Sequence, residues 1–167
     1  MGTRERLAEC LERLERLVPG MGSYKDKEKR RDADKRLRST LAERLDTARK
    51  VVEEVIYSLQ AGGHLDHLTR LGRLERKLHK GADAIRFASY GFSGVFDAVK
   101  IDEAKLDELY AFDVLLAESV SAVQEGAGRL KALPPEAMGP DALEPLEREM
   151  ASFDSKIEKR MALFREG

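Results

Sequence analysis

The chain has 167 residues, of which 37% are charged and 6% aromatic, with no Trp and a formal net charge of −1. That length suits a single domain burying roughly two thirds of its unfolded surface, and its Ala/Glu/Lys/Leu/Arg-rich usage excludes an ordinary β protein in favour of long amphipathic helices. One cysteine, Cys10, excludes an internal disulfide and fits a reducing compartment. No segment nears the roughly 20 apolar residues of a membrane span, and the N-terminus mixes acids with bases, so the expectation is a cytoplasmic protein.

Residues 1–86 carry 21 Lys/Arg against 15 Asp/Glu, and residues 87–167 carry 9 against 16. Separated charge of this size either steers a partner or another copy of the chain, or reflects basic and acidic helices lying side by side.

The first helix is expected to start after Thr3 as its N-cap and to carry Leu7, Leu11, Leu14 and Val18 on one stripe, with Cys10 and Leu17 beside it. Pro19-Gly20 ends it. Ser23 and Asp26 form a loose capping box, so the second helix is expected to begin near Tyr24. Its stripe runs Leu37, Leu41, Leu45, Ala48, Val52, Val55 and Leu59, stepping by 3 and 4 in the manner of a coiled-coil seam. Its opening, residues 25–38, has eight basic and four acidic residues and reads as solvated, laced by i,i+4 pairs Asp26–Arg30, Asp32–Arg36 and Asp34–Arg38.

Ala61-Gly62-Gly63 is a tight break that makes the second and third helices antiparallel neighbours. The third carries Leu68, Leu71, Leu74, Leu78, Ala82 and Ile85 and closes near Gly91, with Gly72 and Gly81 marking either close approach of another element or tolerated weakness. Ile101-Asp102 starts the fourth helix, whose stripe is Leu109, Phe112, Leu116, Val120, Val123, Ala127 and Leu130. Pro134-Pro135 stops it. Asp141 and Glu144 open the last helix, with the stripe Leu146, Met150, Phe153, Ile157, Met161 and Phe164.

The pattern predicts an all-α fold: an antiparallel four-helix bundle (residues 24–165) with an additional N-terminal helix and turn (residues 1–22), forming one domain over 1–167. The N-terminal helix is expected to pack on the basic opening of the second.

Motifs for chemistry are sparse. A di-iron bundle needs inward carboxylates and Glu-x-x-His units, and none of His64, His67 or His79 has Glu three residues before it. The stripes as read contain no acidic residue. His64, Asp66 and His67 are the one local cluster with ligand chemistry and read better as a polar helix start. No nucleophile elbow or phosphate loop occurs, so no catalytic residue, metal or cofactor is assigned. Two features remain. Arg73, Lys77 and Lys80 share a helix face able to meet phosphates, with no interleaved aromatics for stacking single strands. Residues 86–113 hold six of the ten aromatics; there Phe87 and Phe96 are expected to fold over the bundle end, leaving Tyr90 and Phe92 as anchors for a partner.

Function on these grounds is that of a non-catalytic bundle that binds a protein partner or itself, as a homo-oligomer. The alternatives are a polyanion accessory protein acting through the basic faces, without specific nucleic-acid recognition, and a ligand or enzymatic site beneath the aromatic turn.

Overall fold

The computed structural model describes residues 2–21, 30–88 and 103–162. They form helices α1 (Thr3–Leu17), α2 (Arg30–Ala61), α3 (Leu68–Arg86), α4 (Glu103–Ala132) and α5 (Pro140–Ala162), with a 3₁₀ turn at Pro135–Ala137 before α5. No strand occurs among the described residues.

The fold is the four-helix bundle with an added N-terminal helix that the stripes predict. Successive helices alternate in direction. Arg49 meets Glu75 and Asp46 meets Arg86, so α2 and α3 are antiparallel; Ser119 meets Glu149 and Arg160 meets Asp113, so α4 and α5 are too. Around the ring, however, α2 neighbours α4 and α3 neighbours α5, and these two sides are parallel: Glu54 pairs with Lys131, Arg70 pairs with Glu147, and Gly81 faces Phe153. Two antiparallel hairpins thus lie side by side. α3 and α4 occupy opposite corners of this ring, and residues 89–102 between them lie outside the described residues.

The interior is the set of predicted stripes. Leu37, Leu41, Leu45, Val52, Leu71, Leu74, Leu78, Leu116, Val120, Leu146, Met150 and Phe153 are all buried in one cluster, and each such side chain contributes roughly 1.5–3 kcal/mol on leaving water. The α2–α3 break closes as a Schellman motif: His64 N–H donates to the Leu59 carbonyl and Gly63 N–H to that of Gln60. Gly63 has φ +75°, which a side chain would strain. Gly81 is packed, because a Cβ there would stand 3.0 Å from Phe153 Cε1, whereas Gly72 meets only the tip of Arg76 at 3.6 Å and is tolerated weakness.

Four expectations need correction. The N-cap of α1 is Gly2, whose N–H donates to Glu5 Oε2, so the helix includes Thr3. α1 packs on α4, because α4 is apolar on more than one side: Tyr110, Val114 and Ala117 are buried beside the predicted stripe. With α1, α2 and α5 all touching it, α4 is the central helix, while Phe112 of the expected stripe is only half-buried. The opening of α2 is not solvated all round, since Ala33, Asp34, Leu37 and Arg38 are buried there. Finally, Phe87 does not fold over the bundle end and is 60% exposed. The expected start of α2 near Tyr24 and the residues Tyr90, Phe92, Phe96 and Phe164 lie outside the described residues.

Candidate functional site

The charged side chains divide into those enclosed by the bundle and those left on its surface, and that division locates the candidate site. At the end of the ring where α2 and α4 begin and α3 and α5 finish, four charges are buried together: Asp34, Arg38, Asp113 and Arg160. Arg160 on α5 donates from Nε to Asp113 Oδ1 on α4 (2.6 Å) and from Nη2 to Asp34 Oδ1 on α2 (2.9 Å). Arg38 donates from Nε to Asp34 Oδ2 (2.8 Å) and from Nη1 to the carbonyl of Arg86 at the end of α3 (3.2 Å). One chain of hydrogen bonds therefore links all four helices of the ring. Two aspartates and two arginines balance in charge, which is the condition under which such groups tolerate burial. The cavity that Arg38, Asp113 and Arg160 help to line is about 10 Å³, space for one water and no ligand.

Two arginines of α2 are engaged in the same way. Arg36 Nη1 donates to the Gly20 carbonyl (3.3 Å) and Arg44 Nη1 to that of Leu17 (2.9 Å), so both satisfy acceptors at or just past the C-terminal end of α1, where the helix dipole also favours a cation. Along the α2–α3 seam a second chain runs from His79 through Asp83, Arg86, Asp46 and Arg49 to Glu53 and Glu75. The hydrogen bond to Glu75, with the carboxylates of Glu53 and Asp46 nearby, holds the Arg49 guanidinium above its ordinary range against its desolvation. Arg49 Nε lies 3.8 Å from Asp46, too far for a hydrogen bond, and is buried without a hydrogen-bond partner among the described residues. On the α3–α5 side Arg70 grips Glu147 through two bonds of 2.6 and 3.0 Å.

The outer face of α3 contrasts with all of this. Arg73, Arg76, Lys77 and Lys80 are exposed and form no ion pair with any described residue. Arg73, Arg76, Lys80, Asp83 and Phe87 step by 3, 4, 3 and 4 and make one outward ridge ending at the exposed phenyl ring. Lys77 turns toward α5, where it and Lys80 lie near Asp154; burial pushes the Asp154 carboxyl up, and the two lysines offset only part of that rise. Of the face read from the sequence as Arg73, Lys77 and Lys80, the ridge keeps Arg73 and Lys80, with Arg76 between them and Phe87 at its end, while Lys77 lies off it toward α5. Phe87 was missed because its aromatic character argued for burial.

At the opposite end, a cleft of about 120 Å³ brings His64, Asp66 and His67 beside Glu136 of the 3₁₀ turn. Among the described residues no group of three or more His, Cys, Asp or Glu side chains is placed to hold a metal ion. No described helix is long and apolar enough to cross a membrane. No protein-family model, curated protein or solved structure matches this chain.

Proposed function

We propose that this chain is a non-catalytic interaction module that docks an acidic surface of a partner protein on the outer ridge of α3. The observation that carries the reading is the contrast among its cations: Arg38, Arg49, Arg70 and Arg86 are each bound to a carboxylate, while Arg73 and Arg76 stand exposed without one among the described residues, and Lys77 and Lys80 are exposed with Asp154 nearby but form no ion pair with a described residue. Cations already engaged must break an internal bond before meeting a partner. Exposed cations without an ion-pair partner need not, and they steer association through charge that no ion pair compensates. Phe87 at the end of the ridge supplies the apolar anchor that a purely electrostatic contact lacks. Tyr90 and Phe92, next in the sequence, are the proposed extension of that anchor.

A ridge ending in an apolar ring suits a protein surface better than a phosphate backbone, and the near-zero total charge limits the counterion release that drives polyanion binding. The test places a photo-crosslinker at Thr69, exposed at the start of the ridge, in the full chain and in an Arg73→Glu, Arg76→Glu, Lys80→Glu variant. The expected result is a stoichiometric acidic protein captured by the parent chain and lost from the variant and, to a lesser degree, from Tyr90→Ala, Phe92→Ala. Equal capture by the charge-reversed variant would overturn the reading. Submicromolar binding to duplex DNA or anionic vesicles at about 150 mM salt would replace it with the polyanion alternative.

A further inference from the structure

Away from α3, the corner between α4 and α5 holds an open groove of about 430 Å³, within the size range of sites that engage apolar groups. Its floor and walls are Gly126, Leu130, Leu133, Ala142, Pro145 and Leu146. The floor is firm: Leu146 is seated over Gly126, where a Cβ would come within 3.1 Å of it. Two charges frame the strip on opposite walls, Arg129 on α4 and Asp141 on α5. Both are exposed and neither pairs with a described residue.

Pro145 adds a third feature. It sits inside α5 with no backbone N–H, so the Asp141 carbonyl cannot receive the i→i−4 bond that a helix would give it. The carboxylate of Asp141 offers an acceptor at one edge of the groove, and Arg129 offers a planar multi-donor group at the other. A surface with an apolar strip between a donor edge and an acceptor edge is complementary to itself under a two-fold rotation.

We infer that this groove is a self-association surface: a second copy of the chain docks about a two-fold axis, so that Arg129 of each copy meets Asp141 of the other across the shared apolar strip. The two ion pairs fix register and orientation, and Leu133 and Pro145 of each copy supply the apolar contact. The α3 ridge takes no part, so the inference stands or falls separately from the docking role proposed for that ridge.

Sedimentation equilibrium of the full chain tests it. The parent protein should dimerise, and Arg129→Asp or Asp141→Arg alone should raise the dimer Kd by about tenfold or more through like-charge contact. The exchanged double variant, Arg129→Asp with Asp141→Arg, should return to within about threefold of the parent, because each copy then offers the same pair reversed. Leu133→Asp should abolish the dimer whatever the charges. In a purely structural role, Asp141 and Arg129 favour the ends of their own helices, so the exchanged variant would be worse than either single one. That outcome, a monomeric parent at several hundred micromolar, or single variants with unchanged Kd would each overturn the inference.

Discussion

Replacing Asp113 by Ala tests whether the buried network holds the bundle end together. Asp113 is fully buried and Arg160 is 3% exposed, and the substitution removes the acceptor of Arg160 Nε at 2.6 Å while leaving Asp34 on Nη2. Breaking one side of a buried ion pair costs about 3–5 kcal/mol, because the remaining charge keeps its desolvation penalty and loses its compensation. Against a total of about 5–15 kcal/mol that is a large share, and at about 2–4 °C per kcal/mol it lowers Tm by roughly 6–20 °C for a chain of this size. Circular dichroism melts and urea titration measure it. The companion variant, Asp113→Leu with Arg160→Met, removes both charges and leaves Asp34 paired with Arg38 at 2.8 Å, so it should recover most of the loss, within about 2 kcal/mol of the parent. If Asp113→Ala costs under about 1 kcal/mol, the site is effectively solvated and the reasoning fails. If the double variant is as unstable as Asp113→Ala, the network is not held by charge compensation.

Four further outcomes follow from single positions. Gly72→Ala should raise stability by about 0.5–1 kcal/mol through helix propensity, while Gly81→Ala should lower it by about 1 kcal/mol or more, since its Cβ would stand 3.0 Å from the buried Phe153 ring; urea midpoints of opposite sign check both. Gly63→Ala, at φ +75°, should destabilise by about 1 kcal/mol without changing the m-value. The Asp154 carboxyl is pushed above its ordinary 3.8 by burial, so the stability it contributes is fully present below the unfolded value and is lost as pH rises through the folded one. Asp154→Asn should therefore stabilise the protein at pH 7 and lose that advantage below pH 3.8, read from urea unfolding at the two pH values.

Much of the fold was legible because each helix of the ring buries one stripe at the spacing its sequence displays. Leu71, Leu74 and Leu78, or Leu146, Met150 and Phe153, need only one neighbouring core to explain them. The failures occur where a residue answers to more than one neighbour. Tyr110, Val114 and Ala117 fall off the single stripe of α4 because α1 covers a second face. Asp113 and Arg160 look like ordinary surface charges in sequence, and at the end of α5 the spacing allowed either Arg160 or Met161 to turn inward. Only the arrival of Asp34 and Asp113 from two other helices makes Arg160 the buried choice. On α3 the basic character of the outer face was legible as a periodicity, though the spacing picked Lys77 where the ridge has Arg76. That its cations are left without carboxylates is a property of tertiary neighbours, which periodicity does not encode.

The arginines of α2 and α3 show how one residue type is sorted by what surrounds it. Arg38 is almost enclosed and binds a carboxylate and the last carbonyl of α3, which makes it part of the fold: its loss would remove a donor from Asp34 Oδ2 and from that carbonyl. Arg44 meets only a carbonyl, at the end of α1. Arg70 and Arg86 lie at helix seams and spend their planar groups on Glu147, Asp46 and Asp83. Arg73 and Arg76 point between these seams, away from both α2 and α5, and no described acid reaches them. A helix with two neighbours has an outward sector that neither can neutralise. In α3 that sector carries Arg73, Arg76 and Lys80 against the single acid Asp83, itself held by Arg86 at 3.0 Å. The net positive charge of the ridge therefore arises from the ring geometry, and no rearrangement of the described side chains on α3 alone removes it, which is the preorganisation that the proposed acidic partner would use.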